Sequence, residues 1–395
     1  MLAKVERGLP AGAELVIIGA GIVGASTAFW AARAGLSPVV LEARPVPASL
    51  TTPASTGAFR LQFDNREETE LVRETVDLIL NFAAVTGQDA APLAVTQPGY
   101  LWATTSEDKA VEQRRLVARQ HSWGQTDIEL LTGDEARRRF SYLSREVVSA
   151  RYRSDDGFAD PRALTLGLLR ASGAPLHVSC RVVSLRELPS GGFDVGTNRG
   201  HIRAEQVVIA AGPFTGALAA LLGVELPLEV KPRHKVVVPD LARVPPDAPM
   251  TIDDDTGTHW RPALAGAALL DAAPRGPGKA PVEDVPPSSG MAFRVLDPSS
   301  PEAAARISPF WGEAWEAGEL SWMVHSGQYV MNTDHRPLIG QASIDGLWVN
   351  SGYSGHGIMC SPAGGRILAD LITGRLEDSP FALDRTFVKR SLDQI

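Results

Sequence analysis

The sequence of 395 residues contains only two cysteines, Cys180 and Cys360, and no long run of apolar or basic residues. Two cysteines cannot build a disulfide framework, which favours a reducing compartment. No apolar run approaches the roughly 20 residues that a membrane-spanning helix needs, so no membrane span is expected. The net charge of −8, from 46 acidic and 38 basic residues, argues against nucleic acid or an anionic membrane as the main partner. We therefore expect a soluble cytoplasmic protein.

Residues 14–42, ELVIIGAGIVGASTAFWAARAGLSPVVLE, carry the most informative pattern. It consists of an apolar strand, a glycine turn, a small-residue helix, a second strand and an acid: 15–18, Gly19 with Gly21 and Gly24, 22–34, 38–41 and Glu42. In this G-x-G-x-x-G spacing, Gly19 allows a tight turn, Gly21 lets a pyrophosphate approach the backbone, and Gly24 lets the helix pack close to the strand. Glu42 can accept hydrogen bonds from a ribose. The stretch predicts an adenine dinucleotide site and, by itself, permits an NAD-dependent dehydrogenase.

The rest of the chain predicts a second domain. Its length and its 44% hydrophobic content are sufficient for two or three domains. Buried strands with glycine turns recur at 204–212 and near residue 350. The simplest account is one nucleotide-binding domain of three segments, interrupted twice by a second domain: 1–90, 150–225 and 325–395 for the first, 91–149 and 226–324 for the second. Residues 272–290 are rich in proline, glycine and serine, which predicts an extended loop that is either a lid or a mobile insertion.

A helix is predicted over residues 362–373, near the end of the chain. Ser361 suits the N-cap position and Pro362 the first helical position. The N–H groups and the positive dipole end of this helix would face the glycine-rich segment at 355–357. An anionic group bound at that segment would be stabilised by the helix.

Four segments carry a resemblance that spans nearly the whole chain. They are GAGIVG at 19–24 with Glu42, DDGFADPRAL at 155–164, VVIAAGPFTGALAALLG at 207–223, and the closing pair DHRPLIG at 334–340 and GYSGHGIMCSPAGG at 352–365. With these segments the sequence resembles the D-amino-acid oxidase-like FAD-dependent oxidoreductases, and most closely their sarcosine oxidase and glycine oxidase branch. The resemblance implies an α/β fold, in which an FAD-binding Rossmann-like domain of the glutathione-reductase type joins an α+β substrate domain with a mixed sheet.

The resemblance also implies FAD as the cofactor, with the closing segment wrapped around the flavin. The residues that it places against FAD are Gly19, Gly21, Gly24, Glu42, Ala43, Arg44, Ser55, Thr56, Gly57, Val182, Ala211, Gly212, Gly327, Gly355, Gly357, Ile358 and Met359. The attachment cysteine of covalent relatives falls near Gly327, and Cys360 is expected to be a small core residue. Non-covalent FAD is therefore expected, and no metal site.

In this family the flavin takes a hydride at N5 from a carbon bonded to an amine nitrogen, and water hydrolyses the resulting imine. The resemblance therefore implies oxidation of the C–N bond of an amino acid or of an N-methyl or secondary amine, with O2 or another electron acceptor. The flavin supplies the chemistry, and the protein supplies orientation and electrostatics. Besides the NAD-dependent enzyme, a flavin-binding subunit that has lost catalysis and serves assembly or partner binding remains an alternative.

Arg60 is the first candidate for the substrate site. It matches an arginine that grips the substrate carboxylate in sarcosine oxidases, and the fixed fork of a guanidinium suits a bidentate contact with a carboxylate. The alternative is a surface arginine paired with Glu67 or Glu68.

Three further residues are candidates for the catalytic site. His356 lies between two glycines and could donate a hydrogen bond or tune the protonation of the amine; alternatively it is structural. Tyr329 matches a tyrosine that borders the pocket in relatives, and is otherwise a core residue. His259, in the segment HWRP, is expected on the substrate face of the second domain's sheet.

Two positions depart from the sarcosine oxidase pattern. Leu270 stands where that pattern has a lysine that promotes reaction with oxygen, and Met359 stands where it has a second cation for the substrate carboxylate. The first departure favours a dehydrogenase that uses another acceptor. The second favours a substrate that is larger or less polar than sarcosine.

Overall fold

The computed structural model describes residues 5–6, 8–272, 274 and 276–388, so parts of the predicted ranges 1–90, 272–290 and 325–395 lie outside the described residues. In chain order the strands are β1 Gly12–Ile18, β2 Pro38–Leu41, β3 Ala58–Phe59, β4 Tyr100–Thr104, β5 Glu129–Thr132, β6 Ser149–Arg153, β7 Gly157–Phe158, β8 Leu176–His177, β9 Val182–Glu187, β10 Phe193–Thr197, β11 Gly200–Ile209, β12 Glu229–Val238, β13 Met250–Asp253, β14 His259–Ala263, β15 Gly266–Leu270, β16 Met323–Met331, β17 Leu338–Gln341 and β18 Leu347–Ser351. The α-helices are α1 Ile22–Arg33, α2 Arg66–Leu80, α3 Phe82–Thr86, α4 Glu107–Ser122, α5 Gly133–Arg139, α6 Pro161–Ser172, α7 Thr215–Ala220, α8 Ser289–Leu296, α9 Phe310–Glu316 and α10 Gly357–Ile372.

The first sheet has strand β1, which leads into the glycine turn at Gly19, near its centre. Its strand order is β17-β18-β11-β1-β2-β8, with β10 paired to β11 and β9 to β10. Strand β1 runs parallel to both of its neighbours, β2 and β11. Its residue Val16 pairs with Val39 of β2 on one side and with Val207 of β11 on the other. One face packs on α1, α2, α6 and α10, and the other packs on β9, β10 and α7. A parallel sheet buried on both faces explains the continuous apolar runs at 15–18 and 38–41.

The second sheet is mixed and has the order β16-β12-β15-β14-β13-β4-β6-β5. Strands β13 and β4 run parallel, whereas the pairs around them run antiparallel. One face packs on α8 and α9 through Trp260 and Trp311. The opposite face carries His259 beside Leu270 and Arg233 beside Gly327. This polar face is directed toward the first sheet and forms one wall of the cavity described below.

The predicted domain ranges and the sheets differ at two strands. Most of strand β6 falls in the range 150–225 and most of β16 in the range 325–395, both assigned to the nucleotide-binding domain, yet both strands lie in the second sheet. Strand β16 pairs with β12 from Met323 to Met331, which places its glycine Gly327 against the first domain's loop at Thr51 and Ala54. The division into two domains stays a prediction, with these two strands better grouped with the second region.

Several elements differ from their predicted bounds. The segment 251–261 is not one continuous strand but most of the hairpin β13–β14, because Gly257 has a φ of +80° and its N–H donates to Asp253 O in a tight turn. The final helix begins at Gly357, not at Pro362. Within the described part of the chain, no helix combines the length and hydropathy that a bilayer crossing requires.

Candidate active site

A cavity of about 460 Å³ lies between the carboxyl ends of the first sheet's central strands and strand β16. Most of the predicted cofactor residues line it: Gly19, Gly21, Glu42, Ala43, Arg44, Ser55, Val182, Ala211, Gly212, Gly327, Gly355, Gly357 and Ile358. The volume is in the range of small-molecule and cofactor sites. The cavity therefore joins the glycine turn after β1 to the closing loop before α10.

The three glycines of the turn are required for different reasons. Gly19 has a φ of +111°, and a Cβ there would lie 2.5 Å from Ala210 O. A Cβ on Gly24 would lie 1.9 Å from Gly19 O, so this glycine permits the close packing of α1. Gly21 is different, since its φ of −75° suits any residue and a Cβ would meet only Thr52 Oγ1, at 3.3 Å. The absence of a side chain at Gly21 leaves space in the cavity, which fits the approach of a pyrophosphate.

Glu42 is held at the end of β2 by two backbone N–H groups. Ala20 N–H donates to its Oε2 at 2.9 Å and Arg44 N–H to its Oε1 at 2.8 Å. Burial raises the pKa of this carboxyl, and the two N–H donors oppose that rise. Each oxygen keeps acceptor capacity toward the cavity, so the residue fits the predicted contact with a ribose.

The closing loop continues directly into α10. Gly357 and Ile358, the first residues of this helix, line the cavity. The predicted N-cap at Ser361 is wrong, because Pro362 lies inside the helix. The interruption is tolerated because Ala363 N–H donates to Thr75 Oγ1 of α2 at 3.2 Å. The positive end of the helix dipole is thereby at the cavity wall itself.

A smaller pocket of about 30 Å³ adjoins the cavity and shares Ser55, Tyr329, Gly355 and Ile358 with it. All four predicted catalytic residues line this pocket: Arg60, His259, Tyr329 and His356. Thr56 and Met359, predicted to contact the cofactor, and Leu270 line it too. The structure thus brings together residues that are far apart in the chain.

Arg60 is fully buried, with 1% of its surface exposed, so the surface interpretation of this arginine is wrong. Its guanidinium lies over the ring of Phe63 at 4.2 Å and 5.4 Å from that of Trp102. Its Nη1 donates to Gln62 O, and its Nη2 lies 3.4 Å from His356 Nε2. The segment is fixed by Asp156, which accepts the N–H of Leu61 at 2.9 Å.

His259 is neutral at pH 7 because burial lowers its pKa to about 3, with Arg233 acting in the same direction. Its Nδ1 lies 2.8 Å from Gly257 O, and because a carbonyl only accepts, Nδ1 carries the proton. Nε2 is then a hydrogen-bond acceptor on the wall of the small pocket.

Tyr329 lies at the junction of the cavity and the small pocket. Its ring packs against the backbone of Gly355, where a Cβ would approach to 2.8 Å, and Arg233 lies 5.4 Å from the ring centroid. Gly24 and Gly57 line neither space. Gly57 is needed for packing, since a Cβ there would lie 2.0 Å from Ala159 O.

Two cations on strand β12 were not predicted from the sequence. Arg233 lines the cavity and donates to the carbonyl of Ala272 at 2.7 Å. Lys235 donates to Ser55 O at 2.7 Å and to Pro53 O at 3.1 Å, and desolvation lowers its pKa to about 8. The available signal was the alternation of Lys231, Arg233 and Lys235, which places three basic residues on one face of a strand.

The two cysteines occupy different environments. Cys360 is fully buried in the core and burial raises its pKa, as expected of a small core residue, whereas Cys180 lines the cavity. Position 327 has no room for a side chain, because a Cβ on Gly327 would lie 2.8 Å from Ala54 Cβ.

Comparisons with known proteins agree with this geometry. A family model described as FAD dependent oxidoreductase (DAO) matches residues 14–371. The chain is 26% identical over 411 residues to FAD-dependent oxidoreductase domain-containing protein 1 of Xenopus laevis, a match that covers 92% of this chain and 79% of that protein. It is 27% identical over 381 residues to the mitochondrial dimethylglycine dehydrogenase of Mus musculus, covering 91% of this chain and 42% of that protein. The chain therefore spans less than half the length of the latter relative.

Solved structures show the same fold. The glycine oxidase from Geobacillus kaustophilus matches with a TM-score of 0.81 and 24% identity, covering 95% of this chain and 100% of that one. The L-proline dehydrogenase from P. horikoshii matches with a TM-score of 0.78 and 24% identity, over 95% and 96% of the two chains. The predicted mixed α/β fold and FAD as the cofactor are confirmed, and the NAD-dependent alternative is set aside. The chain belongs to the FAD-dependent oxidoreductase family.

Proposed function

We propose that this chain oxidises the C–N bond of an amino acid or an N-methylated amino acid, with FAD bound in the large cavity and the substrate in the adjoining small pocket. The observation that carries the proposal is the buried guanidinium of Arg60 on the wall of a pocket that opens toward the cofactor cavity. The names of the relatives support the substrate class, because glycine oxidase, L-proline dehydrogenase and dimethylglycine dehydrogenase all refer to amino acids or their methylated forms.

The residues of the small pocket have separate roles in this proposal. Bound flavin supplies a hydride acceptor for the carbon next to the amine nitrogen, and water hydrolyses the imine product. Arg60 holds the substrate carboxylate through a charge-assisted contact. His259, with its Nε2 lone pair, accepts a hydrogen bond from the amine. Leu270 and Met359 keep the reacting carbon in an apolar surrounding from which water is excluded.

The residues that line the small pocket also bear on which electron acceptor reoxidises the flavin. Leu270 is apolar where sarcosine oxidases have the lysine that promotes reaction with oxygen, so at this position the small pocket lacks a positive charge that would stabilise reduced oxygen species. We therefore propose that electrons leave to an acceptor other than O2. Slow reoxidation of the reduced protein by air, together with fast reoxidation by an added quinone-type dye, is the expected result.

The test is an anaerobic screen read by flavin absorbance. The panel contains amino acids, their N-methyl derivatives, and matched amines that lack the carboxylate. We expect bleaching by one or more carboxylated amines and slow or no bleaching by their matched amines. Normal reduction by dithionite without bleaching by any amine would overturn the proposal and favour the non-catalytic flavin-binding subunit.

A segment between the two sheets bears on how FAD is held. Residues 279–284, here called the strap, contact both sides of the cavity, and Glu283 lines it. On one side Arg181 pairs with Glu283 at 2.6 Å and Arg44 Nη1 donates to Glu283 O at 2.8 Å. On the other, Gln328 binds both backbone groups of Val282, at 2.7 and 2.9 Å. The strap closes one side of the cavity and supports retention of FAD without a covalent link.

The replacement Gln328→Met tests the strap. It removes two partly buried hydrogen bonds that hold Val282, each worth about 1 kcal/mol, and we expect FAD release to become about tenfold faster. Release is measured by the recovery of FAD fluorescence after dilution. The matched control is Gln341→Met on β17, whose side chain binds only Asp345 at the surface. Equal release rates for the two variants would show that the strap does not retain FAD.

A further inference from the structure

Two buried polar groups, one on the wall of the small pocket and one behind it, face each other without a hydrogen bond. Glu68 Oε1, from helix α2, lies 3.5 Å from His356 Nδ1, and neither atom has a hydrogen-bond partner. Glu68 is 5% exposed and His356 is 6% exposed. The other carboxylate oxygen of Glu68 accepts Asn65 Nδ2–H at 2.6 Å. Buried polar atoms are normally satisfied, so this facing pair requires a reason.

The contact with Arg60 determines which ring nitrogen of His356 carries the proton. A guanidinium can only donate, so Nε2, 3.4 Å from Arg60 Nη2, must be the acceptor. In a neutral ring the proton is then on Nδ1, which is the atom that faces Glu68 Oε1. A shortening of this contact to about 2.8 Å would make a charge-assisted hydrogen bond. The three groups thus form a chain in which the guanidinium of Arg60 donates to the imidazole of His356, and the imidazole is oriented to donate to the carboxylate of Glu68.

The other groups around His356 do not compete for this proton. The edge of the Phe63 ring packs against the imidazole at a centroid distance of 5.3 Å and an interplanar angle of 90°. The titratable and charged groups near the pair are Arg60 after β3, Glu68 on α2, His335 before β17, Cys360 on α10, and Tyr329 and His259 across the pocket. Burial lowers the pKa of His335, and burial raises that of Cys360, so both are neutral at pH 7. Among these groups, Glu68 therefore supplies the carboxyl group that faces the imidazole.

We propose that His356 accepts the proton of the substrate ammonium and that Glu68 stabilises the imidazolium that results, a role that rests on the proposed function. When the substrate carboxylate binds Arg60, the guanidinium donates to the carboxylate and releases Nε2 of His356. The proton then moves from the ammonium nitrogen to Nε2, and the nitrogen retains the electron pair needed for oxidation of its C–N bond. His356 is catalytic because it touches the substrate, whereas Glu68 is a positioning residue that acts through it.

The departure at Met359 fits this charge balance. The residue lines the small pocket beside His356. A cation at this position would lie near the imidazolium and disfavour it by like-charge repulsion. With methionine there, the pocket accepts a second positive charge next to Arg60, compensated by Glu68. Methionine at position 359 thus removes a contact for the substrate carboxylate and at the same time permits His356 to accept a proton.

The replacement Glu68→Gln tests the pair, because it keeps the shape of the side chain and removes its charge. We expect anaerobic flavin reduction at saturating substrate to slow about 10- to 150-fold at pH 7, the range for loss of a hydrogen bond to a charged group. At pH 10 the rate should return to within about twofold of the unmodified protein, because solvent then removes the amine's proton. The affinity for a carboxylic acid without an amine, measured by perturbation of flavin absorbance, should be unchanged because Arg60 is retained.

The matched control is Glu67→Gln, the preceding residue of α2, whose half-exposed carboxylate pairs with Arg336 at 2.9 Å. It should leave the pH dependence of flavin reduction as it is. Glu68→Asp keeps the charge and should recover part of the rate at pH 7. If Glu68→Gln does not retain FAD, the rates of Glu68→Asp at pH 7 and pH 10 are compared instead. Equal slowing of Glu68→Gln at pH 7 and pH 10, or no slowing, would overturn the proton-acceptor pair. Failure of every amine to reduce the unmodified protein would instead overturn the proposed function itself.

Discussion

Replacing Arg60 by glutamine is expected to lower kcat/KM for a carboxylated amine by about 30- to 1000-fold. The charge-assisted contact between a buried guanidinium and a carboxylate is worth roughly 2–4 kcal/mol of transition-state binding, which converts to that range. Glutamine fills much of the same space and avoids the cavity that alanine would leave beside Phe63 and Trp102. The measurement is kcat and KM for an amino acid and for the matched amine without its carboxylate.

The matched amine separates substrate binding from damage to the fold. Because it offers no carboxylate, its kcat/KM should change by less than about threefold in Arg60→Gln. Arg66→Gln is the control at an exposed position, where the arginine only pairs with Glu70 on the surface of α2, a contact of small value. An equal loss for the two substrates would remove Arg60 from carboxylate binding and assign it a structural role.

The parts of this molecule that follow from short-range patterns were predicted well. Strand β2 spans Pro38–Leu41 as the apolar run predicts, and α1 begins at Ile22 directly after the glycine turn. In both cases the cause is local: apolar runs for buried strands, and glycines whose missing Cβ the neighbouring backbone requires. The placement of Arg60 in the small pocket came from the resemblance instead, since no local pattern distinguishes a buried arginine from an exposed one.

The parts that were missed depend on contacts between distant segments. Pro362 was interpreted as a helix start, but Thr75 of α2 accepts the N–H that follows it and the helix continues through the proline. Glu68 was considered only as a surface partner of Arg60, whereas packing of α2 against the closing loop buries it beside His356. Most of strand β16 falls in a range predicted for the nucleotide-binding domain, yet it pairs in the second sheet with β12, which lies about 90 residues earlier. None of these contacts leaves a signal within a window of ten residues.

The glycine turn offers a test of the cofactor site that is independent of catalysis. Gly21→Ala is expected to weaken FAD binding by at least about 100-fold, which is about 2.7 kcal/mol, while the melting temperature of the FAD-free protein stays the same. The backbone at Gly21 has a φ of −75°, which alanine adopts without strain, and its Cβ would meet only Thr52 Oγ1 at 3.3 Å. The added methyl group therefore conflicts with a pyrophosphate, whereas within the protein only the Thr52 hydroxyl has to shift, by a few tenths of an ångström. The affinity is measured by titrating FAD-free protein with FAD.

Two further glycines give this experiment its controls. Gly216→Ala, in helix α7 with open space around the new Cβ, should leave FAD affinity unchanged and stabilise the protein slightly, as alanine does in a helix. Gly24→Ala should instead lower the melting temperature with or without FAD, because its Cβ would lie 1.9 Å from Gly19 O. Loss of stability in FAD-free Gly21→Ala would mean that the protein's own packing requires this glycine. Unchanged FAD affinity would mean that the pyrophosphate does not lie against the turn after β1, and the assignment of the cavity would have to change with it.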